Sequence, residues 1–252
     1  MRALALILLC LAVAVPAIAE PTNAEPIVVD GTLTEAEWGP EATKVPLEGQ
    51  VLTAREGDIL FIGLRSPSTG LVNINLRRGD EIRVLHQSGS LGRAVYTHAD
   101  DTWTRVEDYE WRLRHMGKRT PRQDAVAARL RAKLGKDPVP AEERIEDPQE
   151  IRAKIDGHLV EHGWTAAPGP VASASSAELA LDLAALGEGW EIAVQWMTLR
   201  KDGDAFQKVL HSWPAGSIIA PEDPAQALLS GNAPDTVDFT LEGWKPLADV
   251  AP

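Results

Sequence analysis

Cysteine is nearly missing from this chain. The only one, Cys10, sits in the apolar opening "MRALALILLCLAVAVPAIAE", so nothing beyond it can form a disulfide or supply a thiolate to a metal. Leu9 precedes it where a lipoprotein signal places a small residue, which argues against lipid anchoring. Long hydrophobic runs are equally scarce. The stretch from Ala3 to Val15 is shorter than the roughly 20 apolar residues a spanning helix needs, and no later segment approaches it. Basic charge is in deficit: 25 Lys and Arg face 37 Asp and Glu, a formal net charge of −12, which disfavours nucleic acid and anionic lipid as partners. Phenylalanine and tyrosine number only three and two against eight tryptophans. Tryptophan joins a large apolar face to one N–H, and such residues often form contact surfaces.

The opening segment has one basic residue, Arg2, then the apolar run, then Ala17-Ile18-Ala19 as a small-x-small cleavage site. This pattern predicts an export signal over residues 1–19 and a periplasmic or extracellular location. A single domain is expected over 20–252. Without disulfides it must be held by its core alone, and about 230 residues suffice for that.

Short runs of β-type residues recur at 27–29, 59–64, 71–76, 81–86, 94–97 and 109–114, separated by turn signals such as Asp30-Gly31, Glu56-Gly57-Asp58 and Arg78-Gly79-Asp80. Later, "AELALDL", "WEIAVQW", "KVLHSW" and "TVDFTLEGW" repeat the alternation; Trp190, Ile192, Val194 and Trp196 fall on one face, as do Val237, Phe239 and Leu241. The rhythm predicts a mainly β fold, an antiparallel β-sandwich of jelly-roll or immunoglobulin-like type. In "LVNINLRRGDEIRVLH" a three-residue loop, Arg77-Arg78-Gly79, would set Asn73 opposite Arg83 and Asn75 opposite Glu81. One side of that ribbon would then be core and the other polar. Between about 118 and 165 the period becomes helical. Thr120, Pro121 and Gln123 begin one helix and Gly135 ends it; Asp147-Pro148 begins a second, with Ile151, Ile155 and Leu159 as its apolar stripe and Gly163 as its stop. The pair is expected as a two-helix insertion.

Asp30-Gly31, then Glu35 and Glu37 ahead of Trp38, then "ILFIGLRS" after an acidic turn, resembles the start of carbohydrate-binding modules of family 9 and their wider DOMON-like relatives. The resemblance covers most of the chain after the leader except the helical insertion, and rests on framework positions. It implies a sandwich into which Trp38 packs, and a saccharide as ligand class.

A sugar site needs aromatic faces beside hydrogen-bonding groups. Trp103, Tyr109 and Trp111 would share a face of one unbroken strand, and Asn73, Asn75, Arg83 and His86 could supply the polar partners. The alternative is that these aromatics are core residues. "HLVEH" sets His158 and His162 one helical turn apart around Glu161, the inverted zinc-protease spacing, yet no third ligand is evident and the expected reading is two solvated histidines without metal. His86, Ser88 and Ser90 alternate but lack an orienting carboxylate and a nucleophile elbow. His115-Met116 would point to opposite faces of a strand, and no C-x-x-C-H occurs, so no cofactor is expected. The residues thus point to an exported, non-catalytic binder of a saccharide or glycan-like ligand. A structural or protein-interaction component of the cell envelope is the main alternative, and a hydrolase the weaker one.

Overall fold

A computed structural model of the chain describes residues 25–44, 48–67, 71–114, 147–167, 176–202, 205–217 and 219–250, with 125, 128, 129, 132 and 133. Those last five are helical; the first insertion helix and the His115-Met116 pair otherwise lie outside the described residues. Among the described residues no helix is long and apolar enough to cross a membrane.

The architecture is an antiparallel β-sandwich. The smaller sheet runs β1 (Gln50–Glu56), β2 (Ile59–Arg65), β8 (Ser176–Asp182), β7 (Trp164–Ala166) in spatial order. The larger, curled sheet runs β10 (Ala205–Trp213), β9 (Glu191–Asp202), β3 (Val72–Arg78), β4 (Glu81–Gln87), β5 (Ser90–Ala99), β6 (Thr102–Arg114), β11 (Thr236–Val237), with β12 (Lys245–Pro246) also paired to β9. Strand β1 was not anticipated from the sequence. The expected strand at 27–29 is irregular chain, and "TVDFTLEGW" forms only the two-residue β11 before leaving the sheet. A helix, α2 (Pro148–His162), starts at Asp147, whose side chain accepts from Gln149 N, and stops at Gly163 in the left-handed conformation, as its end signals predict.

The N-terminal motif closes over the smaller sheet. Glu178 of β8 is fully buried, and its Oε2 accepts from the backbone N–H groups of Asp30 (2.9 Å), Gly31 (2.6 Å) and Thr32 (3.1 Å). Its Oε1 accepts from Trp38 Nε1 at 2.8 Å. The Asp-Gly turn therefore aims three donors at one carboxylate oxygen, and the indole of the last residue of α1 (Glu35–Trp38) supplies a fourth to the other. Gly63 of β2 lies beneath this lid, where a Cβ would overlap the Leu33 side chain and crowd the Trp38 ring.

Two apolar cores flank the larger sheet. The first lies between the sheets and gathers Leu60, Ile62 and Leu64 of β2, Ile74 and Leu76 of β3, Leu179 and Leu181 of β8, and Trp190, Ile192, Val194 and Trp196, which share a face as expected. Ile155 brings α2 onto it, and Trp164 brings β7. The second covers the opposite face: Ile82, Val84, Ala94, Tyr96, Trp103 and Tyr109 pack under the C-terminal segment through Ile219, through Ala225 and Leu228 of α4 (Glu222–Leu229), and through Val237, Phe239 and Trp244.

That second core corrects the hairpin reading. β3 and β4 pair as Asn73↔His86, Asn75↔Val84, Leu76↔Arg83 and Arg78↔Glu81, leaving a two-residue Gly79-Asp80 loop with Gly79 at φ 57°. The register is three residues away from the expected one, an odd shift, which turns Ile82 and Val84 onto the face of Asn73 and Asn75. Both sides of the ribbon are therefore buried, and its expected polar side carries part of a core.

Candidate functional site

The sequence-predicted sugar residues do not form one open surface. Trp103 and Tyr109 are 5% and 7% exposed within the second core, where Trp103 meets Phe239 edge-on at 5.8 Å and Tyr109 OH donates to Leu228 O at 2.8 Å. They share a face although β6 is not unbroken: two register shifts separate them, and each reverses the side-chain phase, so the pair restores it. Residue 111 pairs with Gly92, but the Trp111 side chain lies outside the described residues. Asn73, Asn75 and His86 are buried too, so they are corrected from surface ligands to interior polar groups. His86 Nδ1 lies 2.8 Å from Asn73 Oδ1, Asn75 Nδ2 donates to Ala193 O at 3.2 Å, and burial pulls the His86 imidazole down to about 3, so it is neutral. Arg83 is on the opposite face from these three, beside Trp190.

The remaining motifs are placed as follows. Ser88 Oγ donates to the Ser90 carbonyl at 3.3 Å. His158 is buried rather than solvated, with Nδ1 2.6 Å from Trp164 O and its ring 4.5 Å from that of His162. Among the described residues no group of three or more His, Cys, Asp and Glu is placed to hold a metal.

An open cleft of about 860 Å³ lies at one end of the sandwich, a volume within the range of small-molecule sites. Two tight turns make two of its walls. β1 and β2 pair as Glu56↔Ile59 around Gly57-Asp58, and β3 and β4 as Arg78↔Glu81 around Gly79-Asp80, with a glycine at positive φ first in each loop. One turn belongs to each sheet. The third wall is the loop after the short helix α3 (Leu183–Leu186), where Asp182 caps Ala185 N at 3.0 Å and Gly187 and Gly189 take positive φ. Leu183 N donates to Asp58 O at 2.8 Å and Leu247 N to Trp190 O at 2.8 Å, which tie the start of α3 to the first turn and the C-terminal residues 246–248 to the residue before β9.

Trp190 forms part of the floor. It is buried, its Nε1 donates to Leu186 O at 2.9 Å, and the guanidinium carbons of Arg78 and Arg83 lie 4.4 and 4.6 Å from its ring centroid. Arg55, Asp58, Arg77, Glu188 and Glu191 add charge around the walls, with Leu183, Pro246 and Leu247 as apolar lining. Most of these charges are steered by a neighbour: Arg77 Nε stands 3.2 Å from Glu191, Arg83 Nε bonds Glu81 at 2.5 Å, and Arg55 Nε donates to Gly57 O at 2.9 Å. The cleft can thus present planar donors and carboxylate acceptors side by side.

No family model, curated protein or solved structure matches the chain.

Sequence reasoning missed this cleft; of its candidates only Arg83 comes near, through its contact with the lining residue Trp190. The signal was present in the two Gly-Asp turns and the arginines beside them, "AREGD" and "LRRGDEIR". Which turns share an end of the sandwich depends on strand order, and that is set by long-range pairing.

Proposed function

We propose that the protein is an exported, non-catalytic binding protein that holds a saccharide or glycan-like ligand in the end cleft. The observation that carries this reading is the composition of the walls around a hollow of about 860 Å³: apolar Leu183, Pro246 and Leu247 beside Arg55, Asp58, Arg77, Glu188 and Glu191. A pyranose has an apolar C–H face and a rim of hydroxyls that both donate and accept, so it asks for that mixture. The sandwich and the resemblance of the N-terminal motif to family 9 modules support the same ligand class, and the leader pattern supports export. An interaction role would call for a contiguous apolar surface. The large exposed apolar side chains among the described residues, Val106, Val160 and Leu199, stand on three separate elements, β6, α2 and β9.

Titration calorimetry with a panel of neutral and acidic oligosaccharides tests the proposal. A one-to-one isotherm is expected for at least one member, weakened about tenfold or more, roughly 1.4 kcal/mol, by Arg55→Ala combined with Asp58→Asn. Both residues are exposed on the β1–β2 turn, so the fold should survive their replacement. Binding that ignores this double substitution moves the site elsewhere, and no binding by any oligosaccharide overturns the reading.

A further inference from the structure

The arginines around the cleft are not equivalent. Among the described residues, Arg77 is paired with Glu191 and Arg83 with Glu81, and Arg55 has Asp58 at 4.0 Å, whereas no carboxylate lies within ion-pair distance of Arg78. Arg78 is exposed beside the cleft, next to the lining residues Gly187, Gly189 and Trp190: its Nη1 stands 3.9 Å from where a side chain at Gly187 would begin, and its stem 3.9 Å from where one at Gly189 would. Its guanidinium stands 4.4 Å from the Trp190 ring centroid, and its nearest polar contact is Leu186 O at a weak 3.5 Å. Trp190 is itself fixed by its bond to the same carbonyl. In a chain with 12 more acidic than basic residues, a cation thus stands over an indole while, among the described residues, only one of its five N–H donors has a hydrogen bond, the weak one to Leu186 O. The Gly187 and Gly189 backbone leaves open the approach that side chains would obstruct.

We infer that Arg78 receives an anionic group on the ligand, a carboxylate or sulfate ester, making the saccharide of the end cleft an acidic one. The inference rests on the binding reading above and narrows it. A guanidinium presents two parallel donors to two oxygens of either group, and the contact with the anchored Trp190 ring helps to hold it in place. The neighbouring Arg77–Glu191 and Arg83–Glu81 pairs keep those arginines committed to their own carboxylates.

The test has two arms. In the first, the calorimetric affinity for an oligogalacturonate is compared with that for the corresponding neutral oligogalactoside, in wild type, Arg78→Ala and Arg78→Lys. The acidic ligand is expected to bind at least tenfold tighter, and both substitutions are expected to abolish that advantage while leaving the neutral ligand within about twofold. Lysine fails here because it keeps the charge but not the planar fork of donors. In the second arm, sodium sulfate is titrated while the Arg78 Nε–H resonance is followed, assigned by its loss in Arg78→Lys; a saturable shift is expected. Equal affinities for acidic and neutral ligands overturn the inference and leave the saccharide reading standing. If neither oligomer binds, the saccharide reading fails, and the sulfate arm alone decides the anion site: a saturable shift supports it, and none overturns it.

Discussion

Glu178 and His86 are buried ionisable groups in different layers, and their effects on stability run against each other with pH. Burial pushes the Glu178 carboxyl up from 4.5 to about 7, with the Trp38, Asp30 and Gly31 donors pulling the other way, and burial pulls His86 from 6.5 down to about 3. Between 4.5 and 7 the folded state holds a proton on Glu178 that the unfolded state has released, so this group's contribution falls as pH rises. Between 3 and 6.5 the unfolded state holds a proton on His86 that the folded state refuses, so that contribution falls as pH drops. Each slope is at most about 1.4 kcal/mol per pH unit, and from 4.5 to 6.5 the two oppose each other. Glu178→Gln should unmask the histidine: the variant should lose stability as pH is lowered from 6.5 to 4.5, more steeply than wild type. It should also be weaker than wild type at pH 5 by about 1–3 kcal/mol, because an amide nitrogen cannot accept from donors that either carboxyl oxygen accepts from. His86→Gln should show the reverse slope. Urea unfolding midpoints at half-unit pH steps measure both, and parallel pH profiles in all three proteins would refute the assignment.

Among the elements, the turns show how far local sequence reaches. The ends of α2 were legible because a cap is a local contract between a side chain and the backbone two or three residues away, as at Asp147 and Gly163. Gly79 was likewise legible as a left-handed position. The register around it was not. The expected loop assumed that Ile82 and Val84 face the same core as Ile74 and Leu76, yet both faces of β4 are apolar environments, and alternation cannot say which residue faces which. The same burial removed Asn73, Asn75, Trp103 and Tyr109 from the surface, so the aromatic site was misplaced for a non-local reason. The β5–β6 turn makes a separate point. Ala99 pairs with Thr102 around Asp100 and Asp101, both at positive φ, 52° and 61°. Two-residue turns of this kind favour Gly second, and Asp tolerates the left-handed region without preferring it. Asp101→Gly should therefore raise stability by about 0.5–1 kcal/mol, read as a higher urea midpoint with an unchanged slope. A lower midpoint would mean that the Asp101 side chain contributes more than its backbone geometry costs.

For the molecule as a whole, the question is whether two cores make two folding units. The larger sheet is common to both: Ile74 and Leu76 of β3 face the inter-sheet core, while Asn73 and Asn75 of the same strand face the one beneath the C-terminal cover. Long-range bonds fasten that cover, with Tyr96 OH donating to Pro234 O at 2.9 Å and Arg105 Nη1 to Ala233 O at 2.6 Å. The chain then returns along β9 through β12, and Leu247 and Val250 join the first core. A strand cannot lose one face's packing and keep its ladder unchanged, so the layers should unfold together. Phe239 is the place to test this: it is buried in the second core, with Tyr96 edge-on at 5.1 Å and 77°. Phe239→Ala should cost about 3–5 kcal/mol. If the two cores are one cooperative unit, native-state hydrogen exchange of the slowest amides should quicken by the same free energy in β2 and β8 as in β4 and β5, although β2 and β8 lie in the other sheet. Protection lost in β4 and β5 alone would divide the protein into a sandwich and a separately melting cover, and the end cleft, built from turns of both sheets and residues 246–248, would then lose one wall before the others.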